Sequence, residues 1–314
     1  MRRGISGGVS TQTDPAFPAR VAIAGASGLL GSALARSLAS DGIQIVRIGR
    51  GADADVRWDP ARGAIDASAL RGVDAVVALA GANIGQRWTA AQRAEIRASR
   101  VDATSLLART IAMLDPRPRV FVSGSAIGVY GNRGDDVLTE ESEPGTGFLA
   151  DVVREWERAA DPARRAGIPT TCARTGVAIT FAGGMLERIA LPFRLGLGGV
   201  MGNGAQWLSW ISRHDHVRAI RFLLTHVLPG PVNVVAPGPV TNSGFTAALG
   251  RALHRPTLMR IPTGALRLAF GPMAEETILV SQRVMPARLA SAGFVFDDPT
   301  IDAALARKDG ADGR

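Results

Sequence analysis

Two stretches of this chain carry residue types that could do chemistry: GASGLLG at 25–31, a candidate phosphate cradle, and SGSAIGVYGNRG at 123–134, which holds the one tyrosine, Tyr130. In the first, Gly25, Gly28 and Gly31 recur at every third position between a short apolar run, RVAIA, and a helical pattern ending at Gly42. A turn of this kind bends tightly at Gly25, lets backbone approach a diphosphate at Gly28 and packs helix on sheet at Gly31. The helix start, from Ser27 through Leu29 and Leu30, offers free N–H groups to negative charge. Three glycines alone are weak evidence, but strand before and helix after are the context such a motif needs. The Tyr130 phenol either exchanges a proton with a substrate or only packs in a turn beneath the nucleotide site, and residue types leave both open.

The next apolar run, IQIVRIGR, selects the cofactor. An acid about 20 residues past the glycines bonds a ribose 2′-hydroxyl, whereas an arginine accommodates a 2′-phosphate. Here Arg47 and Arg50 precede the first acid, Asp53. NADP(H) is therefore expected, with Arg50 as phosphate ligand; the alternative is an arginine capping a solvated turn. Ala80 and Gly81, closing the run VDAVVALAG, let backbone lie near the cofactor, and Asp59 either reaches the adenine or forms the turn before Pro60.

Other groups fit a substrate cleft. Asn83, Arg87 and Trp88 follow the fourth strand, at the end of a parallel sheet where ligands gather. Arg87 either clamps an anionic substrate or flanks a helix cap. In GNGAQWLSWI, Gln206, Trp207, Ser209 and Trp210 supply polar handles and flat faces for a ring or sugar, or else core packing. RHDHVRAI gathers His214, Asp215 and His216, yet a metal would need further ligands in a defined geometry, and His226 and His254 have no paired acid. No metal is expected; Asp215 is read as the cap of the helix that follows.

These groups must be held by a scaffold. Strands are expected at RVAIA, IQIVRIGR, DVRW, VDAVVALAG, RVFVSGS, TTCARTGVAI and GPVNVVAPGPV, and helices after Gly28, from Thr89 to about Met113 with Gln92 completing a capping box, and from about Gly147 to Ala166. Strands alternating with helices predict an α/β parallel sheet covered on both faces. Past Val240, helices at 242–254, 263–270 and 286–292 suggest a smaller appended lobe, with no clean linker.

The chain has 314 residues, 46% hydrophobic and 20% charged, enough to bury a large core. Its net charge of +8 invites a nucleic-acid reading, but basic residues lie beside acids, as in AEIRASR and REWERAADPARR, like solvated helix faces without an aromatic-laced basic stripe. No nucleic-acid partner is expected. The one cysteine, Cys172, excludes an internal disulfide framework and reads as a small core residue at a strand end. No apolar run approaches bilayer length, so the expectation is a cytoplasmic protein without a membrane partner.

Taken together, GASGLLG, LAGANIGQRW, SGSAIGVYG, ARTGVAI and SWISRHDHVRAI resemble, in order and spacing, the extended short-chain dehydrogenase/reductase or NAD-dependent epimerase/dehydratase superfamily. SRVDAT, GDDVLTEES, LPFRLGLGGVMGNGAQWLSWI and QRVMPARLASAGF resemble its atypical branch labelled epimerase family protein, over about Val21 to Leu305. The resemblance implies a Rossmann-type doubly wound parallel sheet at 20–240, with a cleft-forming insertion at about 181–210. It implies a smaller, mostly helical C-terminal substrate lobe at 241–306; the charged start without an apolar run reads as a disordered leader at 1–19, and 307–314 as a disordered tail. It also implies that Ser125 matches the catalytic serine and that Arg174 belongs to a segment approaching the nicotinamide and its phosphate. Ser123 and Ser125 could instead satisfy backbone at a strand end.

One departure matters most. The superfamily places a tyrosine acid and, four residues on, a lysine on the helix that here reads FLADVVREWE, with Phe148 and Val152 at those places. Neither donates a proton. Tyr130 matches the tyrosine of the VYG segment rather than the acid, and Lys308, the one lysine, lies in the tail. The expected function is an NADP(H)-dependent oxidoreductase or epimerase acting on a small carbonyl or hydroxyl substrate. A non-catalytic NADP(H) sensor is the alternative, and a homodimer is left open.

Overall fold

The computed structural model describes residues 17–307. Strands β1 (Arg20–Ala24), β2 (Gln44–Gly49), β3 (Val56–Asp59), β4 (Ala64–Ile65), β5 (Ala75–Ala78), β6 (Val120–Ala126), β7 (Thr170–Thr175) and β8 (Gly230–Val234) form one sheet in the order 8-7-6-5-1-2-3-4. All neighbours run parallel except the edge pair β3–β4. Because β2 and β5 leave β1 on opposite sides, a crevice opens beyond the carboxyl ends of β1 and β5, where ligands of doubly wound sheets bind.

The period-two alternation of these strands feeds two cores. Val21, Ile23, Val77, Val122 and Val232 face one layer with Leu34 and Leu38 of α1 (Leu29–Ser40) and Ile220 and Leu223 of the helix Arg213–Thr225. Ala22, Ala24, Val76, Ala78 and Phe121 face the other, against Leu106, Leu107 and Ile111 of α2 (Ala90–Ala112). Short, fully apolar strands are what burial on both faces requires. Thr89 caps α2 by accepting from the Gln92 N–H, but the Gln92 side chain donates to the Asn83 carbonyl, so half of the expected capping box forms.

Several elements differ from expectation. The helix expected over 147–166 divides into α3 (Phe148–Ala159) and Asp161–Arg165, because Pro162 at the start of the second has no N–H to continue the ladder. TTCARTGVAI divides at Gly176, where a Cβ would lie 2.8 Å from the Ser209 carbonyl; Val177–Ile179 then pairs with Trp210–Ser212 outside the main sheet. A helix, Gly184–Arg194, occupies the glycine-rich insertion, and Ile301–Ala306 follows the expected helices of the second lobe.

The lobes are stitched together. Arg283–Val284 pairs with Val137–Leu138, and the Ser209 hydroxyl donates to the Gln282 carbonyl. Phe245, Leu249, Ile301 and Leu305 pack with Trp210 and Ile179 in a core of their own. Of the leader assigned to 1–19, residues 1–16 lie outside the described residues, but packing has begun by Pro18, which is buried, and the Ala19 N–H donates to Asp74. At the other end Arg307 grips Asp298 with two hydrogen bonds, and 308–314 lie outside the described residues.

Candidate functional site

The glycine turn closes as its spacing demands. Gly25 has φ +86°, and a Cβ on it would sit 2.7 Å from the Ala80 nitrogen, so the ends of β1 and β5 touch there. A Cβ on Gly31 would meet the Gly25 carbonyl oxygen at 2.1 Å. Gly28 is the N-cap of α1, no side chain caps it and no acid lies in the first turn. Ser27 and Gly28 are exposed, while Leu29 and Leu30 are half-buried. Uncapped N–H groups at a helix start attract negative charge, and these face the crevice mouth without a competing carboxylate. Arg50, just past β2, is exposed and makes no ion pair with another described residue. The turn thus fits a dinucleotide, with Arg50 free to meet a further phosphate.

Ala80 and Gly81 lie at this crevice, but the space beside Gly81 is filled from within. A Cβ there would lie 3.2 Å from the Arg100 guanidinium carbon, so Arg100 lies against Gly81.

At the ends of β6 and β7 a polar chain is buried. Ser125 donates to Glu157 Oε1 at 2.6 Å. Arg174 holds both Glu157 oxygens, Nε at 2.8 Å and Nη2 at 2.9 Å. Its third nitrogen, Nη1, donates to the Tyr130 oxygen at 3.0 Å, and Tyr130 donates to Asn233 Oδ1 at 2.7 Å. Burial works against the Arg174 charge, but the hydrogen bonds and charge of Glu157 outweigh it and hold its pKa above the usual arginine value. Burial pushes the Tyr130 phenol up against the pull of Arg174. Two expectations need correction. Tyr130 is 0% exposed and spends its hydrogen on Asn233, so it neither lines the cleft nor reaches a substrate. Arg174 is committed to Glu157 and Tyr130, so it anchors Glu157 rather than binding cofactor.

Helix α3 carries both Phe148 and Val152. Val152 is buried, and Phe148 packs edge-on against Trp88 with ring centroids 5.2 Å apart. Arg93 lies over the Phe148 ring, 4.6 Å from its centre. The helix starts at Gly147, φ +116°, with no side chain of its own as cap. Glu276, from a turn of π-helix in the second lobe (Ala274–Ile278), accepts from the Phe148 and Leu149 N–H groups at 3.0 and 2.7 Å instead.

The cleft residues divide. Gln206 and Trp207 line a cavity of about 50 Å³ between the lobes, with Ile127, Thr277 and Gln282 on its walls. Gln206 donates to the Met201 and Ile278 carbonyls, and Trp207 Nε1 donates to Asp135, with Arg283 over its ring at 4.4 Å. Trp210 is not with them: it is 0% exposed, its Nε1 bonded to the Gly238 carbonyl, so the stacking role expected of it is replaced by core packing. Asn83 and Arg87 are exposed at the rim; Asn83 Oδ1 accepts from the Gly85 N–H.

At RHDHV the helix cap is Ser212, which accepts from the Asp215 N–H; the Asp215 carboxylate instead takes Arg218 and the Asp297 and Asp298 N–H groups. His214, Asp215 and Asp297 approach one another, but Arg218 sits on both carboxylates and supplies the cationic charge an ion would bring. His216 is fully buried, its Nδ1 unpartnered, and burial draws its pKa down to about 4. Cys172 is buried as expected, with burial, ahead of the other influences, pushing its thiol up to about 12.

Sequence reasoning missed Glu157 and Arg100 by reading both stretches as solvated faces. Spacing could have found them. Ala150, Val153 and Glu157 fall at i, i+3, i+7, and Ile96, Arg100, Ala103 and Leu107 continue the inward stripe of α2.

The comparisons with known proteins agree with this geometry. The model described as NAD dependent epimerase/dehydratase family matches residues 21–236, and one described as Domain of unknown function (DUF1731) matches 261–307. The Mycobacterium bovis epimerase family protein Mb2239 is 46% identical over 290 residues, covering 91% of this chain and 96% of that protein. The crystal structure of human epimerase family protein SDR39U1 (isoform2) with NADPH superposes with a TM-score of 0.83 at 30% identity, covering 91% of this chain and 98% of that one. The nucleoside-diphosphate sugar epimerase from Corynebacterium glutamicum gives 0.76 at 36%, covering 92% of this chain and 57% of that one. With a matched segment that spans the whole glycine-turn sheet, the chain belongs to the NAD dependent epimerase/dehydratase family.

Proposed function

We propose that the protein binds NADP(H) across the β1–β5 crevice and catalyses oxidoreduction or epimerisation of a small carbonyl or hydroxyl compound. The observation that carries the cofactor is the uncapped, acid-free start of α1 behind the Gly25–Gly31 contact, with the unpaired Arg50 beyond β2. The NADPH bound by the human relative supports the same choice. Nicotinamide, when bound, gives or takes hydride. The chain's own contribution is at Ser125, whose hydrogen points at Glu157, leaving its oxygen to accept from a substrate hydroxyl. As that hydroxyl loses its proton to Ser125, the serine proton passes along the 2.6 Å hydrogen bond to Glu157 Oε1, which Arg174 keeps in place. Gln206 and Trp207 then contact the substrate under the second lobe, with Asn83 and Arg87 at the rim.

The test is dinucleotide titration of wild type and Arg50→Ala. Loss of one charge-assisted contact predicts about 10- to 100-fold weaker NADPH with NADH unchanged; equal losses would remove the 2′-phosphate assignment. A second reading, an NADP(H) sensor, is favoured by Phe148 and Val152 standing where the superfamily's acid and lysine belong. Tight NADPH binding with no oxidation across a broad carbonyl panel would select it.

A further inference from the structure

Arg100 is a partly buried cation that finds no carboxylate among the described residues. One turn earlier on α2, Arg97 finds Glu155, donating from Nε at 2.7 Å. Arg100 finds only carbonyls: Nη1 donates to Ile96 at 3.1 Å and Nη2 to Ala82 at 3.0 Å, with a long contact to Ser99. Its guanidinium lies over the Trp156 ring at 5.3 Å, and among the described residues no carboxylate pairs with it. Burial draws its pKa down to about 10 with nothing to offset it. A desolvated charge held this way is costly until an opposite charge arrives.

Its position says which charge. The guanidinium rests against Gly81, one residue from Ala80, whose nitrogen meets the place of a Gly25 Cβ. Arg100 therefore reaches the same crevice as the glycine turn, from the side opposite α1. The geometry points to Arg100 as an anion ligand of that crevice, pairing across Gly81 with the diphosphate of a bound dinucleotide. This rests on the NADP(H) reading above. It gives the crevice two kinds of donor: neutral N–H dipoles from α1, and one full charge from α2. A side chain on Gly81 would crowd the Arg100 guanidinium. The assignment also separates two arginines by what they read, since Arg50 meets a phosphate that only NADP(H) carries, whereas Arg100 meets one that both dinucleotides carry.

The experiment is titration of wild type, Arg100→Met and Arg100→Lys with NADPH, NADH and adenosine 2′,5′-bisphosphate, alongside melting curves without ligand. Arg100→Met is expected to weaken NADPH and NADH alike by about 10- to 100-fold. Adenosine 2′,5′-bisphosphate, which lacks the diphosphate bridge, loses far less. Arg100→Lys, keeping charge without the planar fork, falls between. The ligand-free melting temperature of Arg100→Met stays level or rises, because an unpaired, partly buried charge is gone. If Arg100→Met binds NADH as wild type does, or lowers the ligand-free melting temperature while sparing both affinities, Arg100 is a packing residue and the inference fails. If instead wild type binds neither dinucleotide, the functional reading itself falls.

Discussion

Replacing Tyr130 by phenylalanine separates chemistry from architecture. The substitution keeps the ring and deletes one oxygen that donates to Asn233 and accepts from Arg174, both in a fully buried setting. The bond to Asn233 is neutral and the one from Arg174 charge-assisted; with their partners left unpaired, the combined loss is about 2–4 kcal/mol. For a chain of this size that corresponds to a melting temperature lower by about 3–7 °C. Because Tyr130 touches neither the glycine turn nor the cavity, NADPH affinity should hold within about twofold at temperatures where the variant is folded. Differential scanning calorimetry and dinucleotide titration on the same preparation read both quantities. A variant that melts as wild type does but loses all turnover would refute the reasoning and return Tyr130 to the role of acid.

Two further outcomes follow from the same geometry. Gly31→Ala forces a Cβ against the Gly25 carbonyl, so NADPH binding and stability should fall together, by about 1–3 kcal/mol in stability; Gly28→Ala, whose Cβ would lie 3.3 Å from the same oxygen, should cost much less by denaturant titration. His216 has a folded pKa of about 4 against an ordinary 6.5, so the stability it contributes is complete above pH 6.5 and is lost as pH falls through 4. The loss amounts to about 3 kcal/mol. His216→Leu should flatten unfolding free energy across that window, and an unchanged profile would show that another group carries it.

Much of this was legible in the sequence because the signals were local. Gly25, Gly28 and Gly31 sit where strand and helix patterns meet, and the apolar runs of β1, β5 and β6 are short enough to be only strands. The two helix positions where the resemblance puts a tyrosine and a lysine were legible too, since Phe148 and Val152 stand there at a fixed spacing. What was not legible depended on pairs far apart in sequence. Glu157, on helix α3, reads as solvated until Arg174 and Ser125 reach it from two strands. Trp207 and Trp210, three apart, part company because Trp210 turns into a core that also needs Phe245 and Ile301. The break at Gly176 comes from the Ser209 carbonyl, which no window around Gly176 contains. Asp215 went from presumed cap to tether because Ser212, three residues earlier, already holds its N–H.

The Glu276 carboxylate that closes the start of α3 bears on how this protein can be dissected. The stretches matched by two separate family models are not autonomous pieces: cutting between 236 and 261 would strip α3 of its only carboxylate cap and Val137–Leu138 of its strand partner. A shortened version lacking the second stretch would therefore be expected to unravel at the helix that flanks Ser125, whereas the intact polypeptide is expected to melt as one cooperative unit.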